Sequence, residues 1–154
     1  MIARFWEEKD RGALIPMVED CLAINQAAGA EMRPTVKNAS VLVEMGLRAA
    51  AANQPCLVAQ LPDGTLVGYT LWCELPNALG LDFTSRILHG LGTYVVPTHR
   101  REGVSDALRD HAEQIAARLG YDKIVGIAYH EPGFASCSKR GFKAVGVNVE
   151  KVLR

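Results

Sequence analysis

The chain has 154 residues, 17 basic and 17 acidic side chains, and a formal net charge of zero. At that length one domain spanning residues 1–154 is expected, burying roughly 70% of the unfolded chain's surface. With 49% hydrophobic and 22% charged residues, the composition is that of an ordinary globular protein and argues against disorder, collagen-like repeats and coiled coil. The absence of a concentrated basic tract argues against a nucleic-acid partner, and no uncharged apolar run is long enough to span a membrane, so no membrane partner is expected. The opening M-I-A-R-F-W-E-E-K-D is acidic by position 7, which does not suit a secretory signal. Cys21, Cys56, Cys73 and Cys137 form no C-x-x-C pair, and His89, His99, His111 and His130 fall in no zinc spacing. No metal is therefore expected, and free thiols suit a cytoplasmic location.

In chain order, Ile2 to Glu7 reads as a short edge strand. Leu14, Met17, Val18, Cys21, Leu22 and Asn25 follow the spacing of an amphipathic helix after Asp10. Pro16 implies that this helix starts near Ala13 or kinks. A second helix, capped by Asn38 or Ser40, runs through Leu42, Met45 and Leu47 and ends at Asn53-Gln54-Pro55. Strands at 56–60 and 65–73 flank Leu61-Pro-Asp-Gly64, a turn with a preset φ and a glycine for left-handed geometry. A loop covers 76–86. A strand from about Leu88 to Val96 follows, whose Gly90 and Gly92 signal a bulge. A helix from Gly103 to Leu119, a strand from Lys123 to Tyr129, a helix from Pro132 to Arg140 and one or two closing strands from Phe142 to Leu153 complete the chain. The order β-α-α-β-β-β-α-β-α-β describes a mixed α/β domain with one crossover, around the Gly103 helix.

The stretch that carries chemistry is Tyr94-Val-Val-Pro-Thr-His-Arg-Arg-Glu-Gly-Val-Ser-Asp-Ala-Leu108. It reads as strand, tight turn and helix. Small residues at a helix start allow a ligand close to the backbone. The first-turn N–H groups lack intrahelical partners, and the dipole favours negative charge there. Flanked by Arg100 and Arg101, this corner suits a pyrophosphate. A plain turn with a surface arginine pair has the same local pattern.

Val95, Pro97, Arg100 and Gly103 match the V-x-P-x-x-R/Q-x-x-G-x-G/A signature of the GNAT superfamily of N-acetyltransferases, which this segment resembles. Ser105 stands where the second glycine or alanine is usual. Asp10-x-x-Ala-Leu14, the paired strands around Cys56 and Leu66, and Ser138-Lys-Arg-Gly-Phe142 extend the resemblance over most of the chain. It implies a single GNAT-like domain with a mixed, mostly antiparallel central sheet flanked by helices. It further implies acetyl-coenzyme A as co-substrate, with the backbone of Tyr94, Val95 and Val96 pairing with the pantetheine arm. Arg100, Arg101, Glu102, Gly103, Val104 and Ser105 would hold the pyrophosphate, with Asp106 next along the helix. Homodimers are common in the family.

The same resemblance implies an asparagine at position 130 and a tyrosine at 137, where this chain has His130 and Cys137. Cys137 reads better as a small packed helix residue than as an acid. A coenzyme A thiol, similar to free cysteine with a pKa of about 8.5, can leave without a dedicated donor. The expected reaction is direct attack of a primary amine, on a small molecule or a protein, on the thioester. A backbone N–H near Tyr94 or Val95 would polarise the carbonyl. Glu74, His89 and His130 are the candidate bases, His89 foremost because imidazole titrates near neutrality. The competing readings are a non-catalytic coenzyme-binding or interaction module and transfer of a longer acyl chain.

Overall fold

A computed structural model describes residues 1–30, 32–75, 85–129 and 131–144. Apolar residues on both sides of the central strands build one sheet with a core on each face. The elements are β1 (Ile2–Phe5), α1 (Arg11–Ala27), α2 (Val36–Ala51), β2 (Leu57–Gln60), β3 (Leu66–Cys73), β4 (Ile87–Val95), α3 (Val104–Arg118), β5 (Lys123–Gly126) and α4 (Glu131–Lys139). The five strands lie side by side in sequence order. The first three pairings are antiparallel, while β4 and β5, joined through α3, run parallel. This is the expected mixed, mostly antiparallel sheet. The closing strands expected from Phe142 to Leu153 and the loop at 76–86 fall largely outside the described residues.

On one face Leu14, Val18 and Leu22 of α1 and Val43 of α2 pack against Val58, Tyr69, Leu71 and Tyr94. On the other, Val104, Leu108, Ala112 and Ile115 of α3 cover Leu57, Val67, Trp72 and Leu88. Burying each such aliphatic side chain stabilises the fold by about 1.5–3 kcal/mol, so α3 is fixed chiefly by its apolar stripe. Two bulges adjust the strand faces. Val67 is the extra residue opposite Ala59/Gln60, and Leu91 the extra one opposite Leu71/Trp72, between the two glycines that signalled it. A Cβ added at Gly68 would lie 2.7 Å from the Tyr94 carbonyl oxygen, so any larger residue there would push β3 and β4 apart.

Three boundaries differ from the sequence reading. Helix α1 begins at Arg11, not near Ala13, and holds Pro16 in its interior. Proline leaves the Gly12 carbonyl without its helical donor, and both residues are exposed, so solvent can take that acceptor. Helix α2 is capped by Thr35, whose Oγ1 accepts the Asn38 N–H at 3.2 Å, rather than by Asn38 or Ser40. Strand β5 ends at Gly126, where its pairing with Gly90 of β4 stops, and does not continue to Tyr129. Among the described residues no helix is long and apolar enough to cross a membrane.

Candidate functional site

The site is built where β4 loses a neighbour. β5 pairs with β4 only from Ile87 to Gly90, while β3 continues along β4 to Val95. From Leu91 onward β4 therefore has an open edge among the described residues. Which groups face that opening follows from the antiparallel ladder, in which hydrogen-bonded and non-bonded pairs alternate. The Val96 N–H donates to Val67 O at 3.0 Å, so the Tyr69–Tyr94 pair is bonded as well. Thr93 and Val95, in the alternate pairs with Thr70 and Gly68, turn their N–H and C=O groups to the open side. Of the backbone stretch expected to meet a ligand, Val95 faces the opening, whereas Tyr94 and Val96 are committed to β3. Thr93, which the motif did not point to, faces it too.

The strand then turns sharply. Pro97–His99 form one 3-10 turn, in which the His99 and Arg100 N–H groups donate to Val96 O and Pro97 O at 3.0 and 3.4 Å. Arg101 and Gly103 both have left-handed φ, 68° and 77°. Gly103 caps α3 with no side chain, and a Cβ added there would touch nothing within 4 Å. Ala107 is the first residue to donate into the helix, to Gly103 O. Among the described residues, the N–H groups from Arg101 to Asp106 have no backbone acceptor. Such a concave run of amides at a helix start favours an anion through both hydrogen bonding and the dipole. The Arg100 amide does not belong to the run, because it is turned in to Pro97.

The side chains around this corner are mostly held. Arg100 folds back: its Nε donates to Val95 O at 3.0 Å, and its guanidinium lies 5.7 Å from the centre of the Tyr94 ring. Glu102 reaches His99 Nδ1 at 3.0 Å. Arg140, one residue past α4, is clasped by Asp106, Asp110 and Glu113 of α3. Burial works against its charge, but Asp110 and Glu113 hold it above the ordinary arginine value. A cleft of about 680 Å³ opens here between α3 and α4, lined by Asp106, Ser136 and Lys139 among others. Cys137 is half-buried on α4; its carbonyl accepts the Arg140 and Phe142 N–H groups.

The candidate bases lie apart from one another. His89 is half-buried on β4, paired across the sheet with Cys73 and Val125. By strand alternation and the Leu91 bulge, it shares the α1 face with Tyr94. Among the described residues its Nδ1 is out of contact with water and has no hydrogen-bond partner, an arrangement that costs free energy unless a ligand or a moving proton supplies one. Glu74, just past β3, is exposed and already engaged. Its carboxylate accepts from Tyr121 Oη at 3.1 Å and lies 3.8 Å from Arg86, whose guanidinium stacks 4.5 Å over the Tyr121 ring. Burial, helped by Glu74, pushes the Tyr121 hydroxyl up from its ordinary pKa of 10.0. His130 lies outside the described residues. Among those residues, no group of three or more potential metal ligands is found.

On the α1 face, Tyr94 Oη donates to Asp20 at 3.0 Å. Burial and the Asp20 carboxylate push this hydroxyl up from its ordinary value, with Arg100 opposing them.

The fold that carries this corner is similar to that of solved acetyltransferase structures. Ribosomal-protein-alanine N-acetyltransferase from Brucella melitensis biovar Abortus 2308 is 23% identical, with a TM-score of 0.65 over 100% of this chain and 99% of that one. A GCN5-related N-acetyltransferase from Ralstonia eutropha JMP134 is 18% identical, with a TM-score of 0.71 over 98% and 97%. AAC(6')-Iy, in complex with the bisubstrate analogue CoA-S-monomethyl-acetylneamine, is 15% identical, with a TM-score of 0.68 over 99% and 97%. At these identities the likeness concerns the fold. No curated protein matches the chain by sequence. The sequence profile of the acetyltransferase (GNAT) family matches residues 25–142, which include α2, the sheet from β2 to β5, the β4–α3 corner and the Gly141-Phe142 pair. The chain belongs to the acetyltransferase (GNAT) family.

Proposed function

We propose that the chain is an acetyl-coenzyme A-dependent N-acetyltransferase acting on a primary amine by direct attack within a ternary complex. The observation that carries this reading is the meeting of two sets of open backbone groups. The Arg101–Asp106 amides lie at the start of α3, and the Thr93/Val95 edge of β4 leads into them. In this reading the amides hold the diphosphate, Gly103 keeps the approach clear, and the β4 edge pairs with the pantetheine arm. The Val95 N–H then polarises the thioester carbonyl.

The amine must be neutral to attack, and an ordinary lysine-type amine with a pKa of about 10.4 needs a base. His89 suits that role best among the described candidates, since its Nδ1 is unpartnered, whereas Glu74 is tied to Tyr121 and Arg86. The thiolate leaves without a tyrosine, its acidity sufficing near neutral pH. One domain of residues 1–154, working in the cytoplasm with its four cysteines reduced, alone or as a homodimer, completes the proposal. Cys137 in place of the usual tyrosine favours a second reading, a coenzyme-binding module without turnover.

A thermal-shift titration with acetyl-coenzyme A separates these possibilities. Ligand at 100 times its dissociation constant stabilises by about 2.7 kcal/mol, or roughly 5–10 °C for a domain of this size. No shift at millimolar ligand would end both coenzyme-binding readings. A shift without thiol release on any of a panel of primary amines would favour the non-catalytic module.

A further inference from the structure

Two phenol–carboxylate pairs flank the sheet, and they differ in charge balance. Glu74, beside Tyr121, has Arg86 at 3.8 Å to offset it. Asp20, beside Tyr94, is exposed, and among the described residues no basic group lies in salt-bridge range of it. Its hydrogen-bond partner among the described residues is a neutral hydroxyl from a side chain only 5% exposed. That hydroxyl fixes one oxygen and leaves most of the carboxylate's acceptor sites open. Tyr94 immediately precedes Val95, whose backbone faces the open edge. It extends to the α1 face, the same face as His89 and opposite the face covered by α3. A group reaching Val95 from the α1 side therefore passes an anchored carboxylate that has no basic group in salt-bridge range among the described residues.

We propose that Asp20, held by Tyr94, is the specificity determinant for the acceptor and selects a cationic amine, one with a positive charge besides the amine that reacts. This rests on the acetyltransferase reading and adds to it the acceptor class and the residue that chooses it. Asp20 is a positioning residue. The second charge sits at the carboxylate, and the reacting nitrogen is directed toward the β4 edge. Arg100 bears on the same cluster, since its guanidinium lies 5.7 Å from the centre of the Tyr94 ring and its Nε bonds the Val95 carbonyl. It therefore competes with any ligand for that carbonyl, and from the ring it repels a cation.

The test uses the full chain saturated with coenzyme A and titrates 1,4-diaminobutane calorimetrically, with 1-aminobutane as the singly charged comparison. Wild type should bind the diamine at least ten-fold more tightly than the monoamine. Asp20→Asn should abolish that preference, and Tyr94→Phe should weaken it several-fold. Glu8→Gln, in the 3-10 turn before α1, should leave it unchanged. In turnover assays Asp20→Asn should raise KM for the diamine at least ten-fold with little change in kcat. Equal binding of the two amines by wild type, or an unchanged preference in Asp20→Asn, overturns the proposal while leaving coenzyme binding intact. Failure of coenzyme A itself to bind would instead overturn the reading on which it rests, and the proposal with it.

Discussion

At the start of α1 the Asp10 carboxylate, 4% exposed, receives Arg4 Nη1 and Nη2 at 2.7 and 2.8 Å and the Glu7 N–H at 2.8 Å. At the start of α3, Gly103 offers no side chain, and the amides that follow have no acceptor. Every helix begins with donors its own backbone cannot satisfy. At α1 the start is closed by an ion pair that joins β1 to the turn before the helix, although the Asp10 side chain makes no bond to the helix's own amides; at α3 it is open, and the amides are left for something outside the chain. The contrast teaches that stability and ligand affinity sit at different helix starts, so mutation should separate them.

The largest effect is expected at the closed start. Asp10→Ala leaves the Arg4 guanidinium, only 17% exposed, without its bidentate partner, and breaking such a pair costs about 3–5 kcal/mol. Urea unfolding should show the loss, and acetyl-coenzyme A should bind the remaining folded protein with unchanged affinity. The pair also predicts a pH dependence. Burial alone would raise the Asp10 pKa, but hydrogen bonds from Arg4 and Glu7 outweigh it and hold the group below its ordinary 3.8. A depressed carboxylate contributes fully above the unfolded value, and its contribution is lost as pH falls through the folded one. Melting temperature should therefore drop on acidification below about pH 4, and less steeply in Asp10→Asn. An identical acid limb in both proteins would remove Asp10 as its source.

A ligand-specific loss is expected at the open start. Gly103→Asp places a carboxylate in space that is empty to 4 Å, beside the amides proposed to hold a diphosphate. Aspartate tolerates left-handed φ better than most residues, so the fold should survive. Affinity for acetyl-coenzyme A, measured calorimetrically, should fall ten- to hundred-fold, or about 1.4–2.8 kcal/mol. Unchanged affinity would show that these amides do not hold the ligand.

Sequence resolved these starts unequally, for physical reasons. Local geometry was legible. The Asp63-Gly64 turn forms as expected, with the Thr65 N–H on Asp63 Oδ1 at 2.9 Å and Gly64 at φ 92°. The Gly90/Gly92 bulge and the Gly103 helix start were legible because glycine marks backbone that other residues resist. What escaped depends on residues far apart in the chain. Asp10 read as a helix-start marker, yet its partner Arg4 lies on a different element. The Asp20–Tyr94 bond spans 74 positions, and no periodicity encodes it. Arg100, read as a flank of the pyrophosphate corner, folds back to Val95 because a strand edge with an unpaired carbonyl is within its reach. The limits of β5 are set by where β4 parts from it, a property of the sheet that its own residues do not carry.

Helix α2 provides an intermediate case. Its start is closed by an ordinary exposed cap, Thr35 Oγ1 to the Asn38 N–H at 3.2 Å, with Asn38 Nδ2 reaching back to Arg33 O at 2.9 Å. Thr35→Ala removes only the first of these bonds and should cost about 1 kcal/mol, the usual value of a cap. Thr35→Asp should retain or slightly exceed wild-type stability, because the carboxylate accepts the same amide and complements the dipole. Neither change should alter acetyl-coenzyme A binding. If Thr35→Ala were as damaging as Asp10→Ala, burial would not be what distinguishes the two closed starts. A cap exposed to water lets solvent replace the lost acceptor, whereas the largely buried Arg4 would keep only Gln60, the Phe5 carbonyl and the more distant Glu7 carboxylate at 3.5 Å in place of its bidentate partner, and this difference in access sets the gap between one and several kilocalories.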